Sequence, residues 1–458
     1  MFGRFKHLHF VGIGGAGMSG IAEILANLGF QVSGSDSTPS EITEYLAGLG
    51  IKIQNAHVAE NVEGIDVVVI SSAIGDSNPE VREARLRGIP VIKRAEMLGE
   101  LMRLKFSIGV AGTHGKTTTT SMIGRILQHA NLMPTLIVGG VVAELGTGAA
   151  LGTGDYLVAE ADEYDKSFLA MFPSMAVVLN IEADHLECYN GMEDLLGSFL
   201  TYINRVPFYG SAIVSADDPN IQSFRQKISR PYATFGFSND ADYRALNITL
   251  EPHRTMFSVY HKQDLLGDII LRVPGKHNVA NALAAIAACR ELDVPFAPIA
   301  DALRDFRGVG RRFEQIAQIN RILVIDDYAH HPTEIRATLT AAKAVYPERR
   351  VIAIFQPHLF SRTQQFAPEF AQALAIADEV ILTDIYPARE QPVPGVTSEL
   401  IRQEALKSGA KQFQYVGVKE NALDAVTKMA QQGDVIITIG AGSITHIKHL
   451  IVERIKAL

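Results

Sequence analysis

The residues with the most evident chemistry are Gly112, Thr113, His114, Gly115, Lys116, Thr117 and Thr118, consecutive between an apolar run and a segment of helical spacing. Backbone N–H groups of such a loop surround the β- and γ-phosphates of a nucleoside triphosphate. The lysine neutralises phosphate charge, and the hydroxyl after it is a ligand for Mg²⁺. The common loop carries another glycine with four residues between it and Gly115. That position is Val110 here and Gly112 stands closer in, so this is a shortened variant. A glycine-rich turn with a solvated lysine is the bland alternative.

Carboxylates and a histidine follow at two later strand ends. Tyr156-Leu-Val-Ala-Glu160 is an apolar run, and Glu160, straight off it, is placed to give a metal-bound triphosphate its second oxygen ligand opposite Thr117. A solvated acidic turn is the bland alternative, plausible for Asp162 and Glu163 beyond it and less so for Glu160. In Asn180-Ile-Glu-Ala-Asp184-His185 the histidine is either a second metal ligand or a structural hydrogen bonder. Asn278 and Asn281 open an alanine-rich helix, where amides either read an adenine edge or cap the helix. Arg311 and Arg312 carry forks suited to phosphate oxygens, and surface solvation is equally open to them.

The two ends of the chain hold further clusters. Gly12-Ile-Gly14-Gly15-Ala16-Gly17-Met18-Ser19 lies between a strand and a helix, where a pyrophosphate can approach backbone N–H groups. Asp36 ends the next strand, a place where an acid often meets a ribose hydroxyl. Alone, this motif points to a nucleotide of some kind. Asp326-Asp327-Tyr328-Ala-His330-His331-Pro-Thr-Glu334 and Gln356-Pro-His358-Leu-Phe-Ser361-Arg362 follow two late strands. Open α/β sheets bind ligands at that carboxyl edge. The adjacent histidines lack a second ligand pair at metal spacing, which argues against zinc.

Short Val- and Ile-rich runs must position these groups: Leu8–Ile13, Val67–Ile70, Ser107–Ala111, Tyr156–Ala159, Ala176–Asn180, Ile322–Ile325, Val351–Phe355, Glu379–Thr383 and Val435–Ile439. They are the runs of parallel strands covered on both faces. Helical spacing between them, as in Ile21–Leu28, Thr118–His129 and Asn278–Glu291, predicts α/β architecture throughout. Boundaries are expected near Arg103–Lys105 and near Arg312–Ile319. The loop Tyr386–Thr397, with three prolines beside Arg389 and Glu390, is expected to be mobile or to cover substrate.

At 458 residues the chain needs about three domains. Its net charge of −8 argues against a nucleic-acid partner. Two cysteines, Cys188 and Cys289, make no disulfide framework and fit a reducing compartment. No run approaches the roughly 18 apolar residues of a membrane span, and the first residues lack a signal-peptide core. A cytoplasmic location is expected.

In this order the motifs resemble those of the Mur ligases of peptidoglycan precursor synthesis. The resemblance runs over essentially the whole chain, through Gly12–Gly20, Gly112–Thr118, Asp327–Glu334 and Ser361–Thr363. It implies three α/β domains: a Rossmann-like domain over 1–104 for a UDP moiety, a P-loop ATPase with a mixed sheet over 105–314, and a Rossmann-like domain over 315–458 for an amino acid. It further implies ATP and Mg²⁺ as cofactors, UDP-N-acetylmuramate and L-alanine as substrates, no insertion into a membrane, and a monomer or weak homodimer.

By motif position, Lys116 and the rest of Gly112–Thr118 would hold the ATP phosphates, Thr117 and Glu160 one Mg²⁺, and His185 a second. Asn278 and Asn281 would meet the adenine, with Asp327 near the ATP. Arg312, ahead of Arg311, would reach the phosphates, and Gly14–Ser19 with Asp36 the nucleotide sugar. Tyr328, His330 and Arg362 would shape the amino-acid side. Lys116, His185, Arg312 and Arg362 would be the catalytic set.

Sibling ligases carry a modified lysine after the Asp-His pair. Here no lysine occurs between Lys166 and Lys227, which fits the alanine-adding branch. Leu359 stands where many relatives of that branch have arginine, so no ligand contact is assigned there. The implied chemistry is activation of a carboxylate as an acyl phosphate, then attack by an amine. A tripeptide-recycling ligase is the nearest rival. A nicotinamide oxidoreductase would explain Gly12–Gly17 but leave Lys116 idle.

Overall fold

The computed structural model describes residues 3, 5–139, 148–251, 254–388 and 390–456. Met1, Phe2, Arg4 and Arg389 lie outside the described residues, as does the side chain of Ala16. The chain forms two compact units, one of residues 1–246, 258–269 and 280–305, the other of 247–257, 270–279 and 306–458.

The first part of the chain alternates β1 (His7–Val11), α1 (Ala16–Asn27), β2 (Gln31–Ser35), α2 (Glu41–Gly48), β3 (Lys52–Gln54), β4 (Val67–Ile70), α3 (Pro79–Leu86), β5 (Val91–Lys93) and α4 (Arg94–Met102). These strands make one parallel sheet in the order β3-β2-β1-β4-β5. The order reverses between β1 and β4, so the glycine-rich turn after β1 lies at the switch point, where such sheets open a crevice. The expected strand Leu8–Ile13 stops at Val11. Gly12 turns to φ +79°, and the N–H groups of Gly12 and Ile13 both donate to the Ser35 carbonyl, at 2.8 and 3.1 Å. Only glycine fits at position 34, because a Cβ there would come within 2.5 Å of the Ile13 side chain.

Next come β6 (Phe106–Ala111), α5 (Lys116–His129), β7 (Thr135–Ile137), β8 (Ala149–Ala150), β9 (Tyr156–Glu160), β10 (Met175–Val178), α6 (Met192–Asn204), β11 (Ser211–Ser215), α7 (Pro219–Phe224), β12 (Tyr232–Gly236), β13 (Tyr243–Glu251), β14 (Arg254–His261), β15 (Asp264–Leu271), α8 (Lys276–Arg290) and α9 (Phe296–Asp305). Their ten-stranded sheet runs β15-β14-β13-β12-β11-β10-β6-β9-β7-β8. It is mixed, since β7 and β8 pair antiparallel while β6, β9, β10 and β11 are parallel. β6 lies between β10 and β9, and its buried strand delivers the lysine loop to the carboxyl edge. Under this sheet Phe168 meets Phe199 edge-on and stacks on Tyr202, with centroids 5.0 and 5.1 Å apart.

The last part comprises β16 (Glu314–Ile319), β17 (Ile322–Asp327), α10 (Pro332–Val345), β18 (Val351–Phe355), α11 (Phe360–Leu374), β19 (Glu379–Leu382), α12 (Glu399–Lys407), β20 (Phe413–Tyr415), α13 (Asn421–Met429), β21 (Val435–Ile439) and α14 (Lys448–Lys456). The sheet order is β16-β17-β21-β18-β19-β20, with only β16 antiparallel to its neighbour. Asn320 and Arg321 both take positive φ between β16 and β17, as a two-residue type I′ hairpin requires. Leu323, Ile325 and Phe355 pack on one face of this sheet, and Val324, Ile352 and Ile354 on the other. Burial on both faces is why these strands read as unbroken apolar runs.

Candidate active site

The lysine loop is built by its glycines and by a strand beside it. Gly112 and Gly115 both have positive φ, +139° and +85°, and Gly115 is the residue before the first turn of α5. A Cβ on Gly115 would lie 2.4 Å from Oδ1 of Asn281, so any other residue would strain the backbone and push that amide aside. Asn180, beyond β10, clamps His114. Its Oδ1 accepts from the His114 N–H at 2.8 Å, and its Nδ2 donates to the His114 carbonyl at 3.0 Å. The Glu182 N–H donates to Thr113 Oγ1, and the Thr113 N–H to the Asn180 carbonyl. Four hydrogen bonds thus tie the loop to the residues that follow β10.

Lys116 Nζ donates to the Gly112 carbonyl at 2.6 Å and to Glu163 Oε2 at 2.8 Å. Burial opposes its charge, but Glu163, Asp162 and Glu160 outweigh that penalty and raise its pKa to about 12. The ammonium stays charged at any physiological pH. Glu163 is only 2% exposed, which corrects the solvated-turn reading. Its place in an acid run just past a strand end was the available signal, and the lysine opposite it was not visible in the spacing.

Thr117 is half-buried in the first turn of α5, and Thr118 is buried beside it. Glu160 ends β9 directly beside β6, in register with Val110, and accepts from the Gly139 N–H at 2.9 Å. His185 has a left-handed backbone at φ +56°. Its ring lies edge-on to Tyr164, with Nδ1 3.5 Å from Glu187 and Nε2 3.8 Å from Asp184. Asn281 sits against the loop at Gly115, whereas Asn278 donates Nδ2 to its own helix start, the Pro274 carbonyl, at 2.6 Å.

In the glycine-rich turn after β1, the Gly14 N–H donates to Asp36 Oδ2 at 2.9 Å, and Oδ1 accepts from the Thr38 N–H. Asp36 therefore holds the turn itself. A Cβ at Gly14 would fall 2.8 Å from the same carboxylate, and one at Gly17 would meet Arg94 at 3.1 Å. Gly15 precedes the first residue of α1, where Met18 is buried and Ser19 half-buried.

The second unit gathers the late clusters at the carboxyl edge of its sheet. Asp327 is buried and accepts from the Phe313 and Ala329 N–H groups, each at 2.8 Å. Burial raises its pKa to about 6, against the pull of Arg312 and those two donors. Arg311 and Arg312 both lie over the Tyr328 ring, at 4.8 and 4.9 Å. Their other contacts differ. Arg311 donates to the Gly440 carbonyl at 2.6 Å and faces Asp326 at 3.4 Å, while Arg312 approaches Glu334 at 3.6 Å.

Four rings then step across the strand ends: Tyr328 to His330 at 5.3 Å, His330 to His358 at 5.9 Å, and His358 to Tyr386 at 5.7 Å. Arg362 is buried one turn into α11. The loop Tyr386–Thr397 is tied to the start of α11 at two of its residues. Glu390 accepts from the Phe360 and Ser361 N–H groups at 2.6 and 3.0 Å, and the Leu359 N–H donates to the Tyr386 carbonyl. Two orphan N–H groups at the start of α11 are thereby satisfied. Leu359 itself holds φ +73°, a conformation that L side chains resist.

A triphosphate loop at the carboxyl edge of one α/β sheet, in a chain that also carries a glycine-rich turn and a polar strand-end cluster, is the build of an ATP-driven ligase. The comparisons make this specific. Family models described as "Mur ligase family, catalytic domain", "Mur ligase middle domain" and "Mur ligase, glutamate ligase domain" match residues 7–106, 110–289 and 311–442. The UDP-N-acetylmuramate–L-alanine ligase of Geobacter sp. (strain M21) is 49% identical over 100% of this chain and 99% of its own. That of Pelobacter propionicus is 51% identical over 97% of each. Among solved structures, the UDP-N-acetylmuramate-alanine ligase of Thermotoga maritima aligns at TM-score 0.82 and 33% identity, covering 98% of this chain and 99% of that one. A murein peptide ligase from Psychrobacter arcticus aligns at 0.72 and 26%, covering 99% of each. The chain belongs to the Mur ligase family.

Proposed function

We propose that this chain joins L-alanine to the lactoyl carboxylate of UDP-N-acetylmuramate, with ATP converted to ADP and phosphate. One observation carries the reading: about half of all residues match, along the entire chain, ligases named for that reaction. The tripeptide-recycling alternative is less well supported, since its structural relative is the more distant of the two.

A carboxylate is a poor electrophile. Transfer of the γ-phosphoryl group makes it an acyl phosphate, the alanine amine attacks the carbonyl carbon, and phosphate leaves as the amide forms. Positioning and charge neutralisation account for most of such catalysis. Lys116 holds a permanent positive charge on the loop that takes the phosphates. Arg312, less committed than Arg311, is the arginine we assign to the transferred group. Asn281, beside Gly115, and Asn278 are assigned to the adenine side, with Asp327 near the nucleotide. Gly14–Ser19 and Asp36 are assigned to the UDP sugar, and Tyr328, His330 and Arg362 to the amino acid.

The Thr117 hydroxyl and Glu160 carboxylate are hard oxygen donors of the kind Mg²⁺ prefers, and they fit that ion at the phosphates. Bound there, Mg²⁺ would neutralise phosphate oxygens. The nitrogen of His185 suits it less well, and we assign His185 to a second, weaker site. The domain limits 1–104, 105–314 and 315–458 belong to the same reading, as do a monomer or weak homodimer and a cytoplasmic location. No helix among the described residues is long and apolar enough to cross a membrane, and both cysteines are free thiols.

Purified protein with ATP, Mg²⁺ and UDP-N-acetylmuramate should release phosphate only once an amino acid is added. Equal release with and without the amine would sink the ligase reading, and a preference for the tripeptide over L-alanine would favour the recycling alternative.

A further inference from the structure

Glu80, in the first turn of α3, has no solvent exposure, yet its carboxylate is fully engaged. Oε1 receives Asn61 Nδ2 at 2.5 Å and His9 Nε2 at 3.3 Å. Oε2 receives Ser35 Oγ at 2.7 Å and His57 Nδ1 at 3.0 Å. Two donors on each oxygen is full occupancy for an ionised carboxylate. Burial alone would raise its pKa, but the donors from His9, Asn61 and Ser35 outweigh burial and lower it. The network continues through His9 Nδ1, 2.9 Å from Ser33 Oγ, to His7 Nε2, 3.1 Å from the same hydroxyl. His7 and His9 alternate on β1, and Ser33 and Ser35 on β2, so all four lie on the sheet face that α3 covers.

Ser35 gives this network its reach. Its side chain is held by Glu80, and its carbonyl receives the N–H groups of Gly12 and Ile13, which begin the glycine-rich turn. We infer that Glu80 is a positioning residue for nucleotide binding, fixing through Ser35 the turn Gly12–Gly17 that receives the UDP pyrophosphate. The inference rests on the proposed UDP site. It adds a buried residue of α3 on which the shape of that site depends.

Glutamine is not a neutral replacement here. Whichever way its amide is turned, its NH₂ faces two existing donors, either His9 and Asn61 or Ser35 and His57. The test is calorimetric binding of UDP and, separately, ADP to the full chain and to Glu80→Gln, with circular dichroism as a folding check. UDP affinity should fall about tenfold or more while ADP affinity stays within about twofold. Ser35→Ala removes one donor but keeps the carbonyl, and should weaken UDP about threefold. It carries the test alone if Glu80→Gln does not fold. Unchanged UDP binding, or parallel loss of UDP and ADP, overturns the inference. Failure of the wild-type chain to bind UDP overturns the nucleotide reading of the turn and this inference with it. Equally tight UDP binding by wild type and variant overturns the inference alone.

Discussion

Replacing Lys116 by methionine separates two roles that one buried ammonium combines. Methionine keeps most of the stem and removes the charge. Glu163, 2% exposed and 2.8 Å from Nζ, is then left without its cation beside Asp162 and Glu160. Breaking a buried pair by removing one partner costs ~3 kcal/mol or more. For a unit of this size that is a melting shift of roughly 5 °C or more. The rise in the lysine pKa from 10.5 to about 12 corresponds to ~2 kcal/mol in favour of the charged form, a compatible figure. That contribution is complete below pH 10.5 and is lost only as pH rises through about 12, so melts near pH 8 report it in full. Separately, on the proposed assignment of Lys116 to the ATP phosphates, loss of its charge should lower turnover ~10³-fold, or ~4 kcal/mol. The double variant Lys116→Met with Glu163→Gln removes the stranded carboxylate. Its melting temperature should return towards wild type while turnover stays low. ADP release and thermal melts on the same samples test this. A double variant within tenfold of wild-type turnover would refute the assignment, since Lys116 would then serve only to neutralise Glu163.

Three further outcomes are expected. Arg311→Ala should lower the melting temperature, because it strips contacts to Gly440 and Asp326, whereas Arg312→Ala should leave it within about 2 °C and lower kcat by at least tenfold; the reverse pattern in parallel melts and rates would exchange the two roles. A Cβ at Gly109 would lie 2.1 Å from the Tyr202 hydroxyl, which has no partner among the described residues, so Gly109→Ala should cost ~2–3 kcal/mol and Tyr202→Phe should restore most of it; denaturant titration of the two single variants and the double reads the compensation. Asp327 has its pKa raised from 3.8 to about 6, so its folded form binds a proton more tightly, and its contribution to stability declines as pH rises from 3.8 through about 6, by ~3 kcal/mol in all. Asp327→Asn should therefore gain stability relative to wild type across that window in melts at successive pH values, and a difference that stays flat with pH would contradict it.

How much of this was written in the sequence depends on how local each feature is. The loop Gly112–Thr118 is one contiguous segment whose glycines, lysine and threonines serve neighbouring backbone and one ligand, so type and spacing were sufficient. The buried strands were equally plain, because a parallel strand covered on both faces must be apolar at every position. Register across the sheets was not. Glu163 meets Lys116 across 47 residues, Asn180 clamps His114 across 66, and Ser35 reaches Glu80 across 45. Each pairing follows from which strands lie side by side and how far each is advanced, and no local pattern encodes that. A solvated turn was accordingly open to Glu163, and Glu390 stood in a loop with no assigned partner. The fold instead brought each carboxylate to a cation or to orphan N–H groups whose desolvation demanded a partner. The sequence by itself determined that a triphosphate is gripped, and in what kind of protein. The tertiary structure decided which buried groups hold the lysine loop, the glycine-rich turn and the start of α11 in place, because those contacts exist only once distant strands are in register.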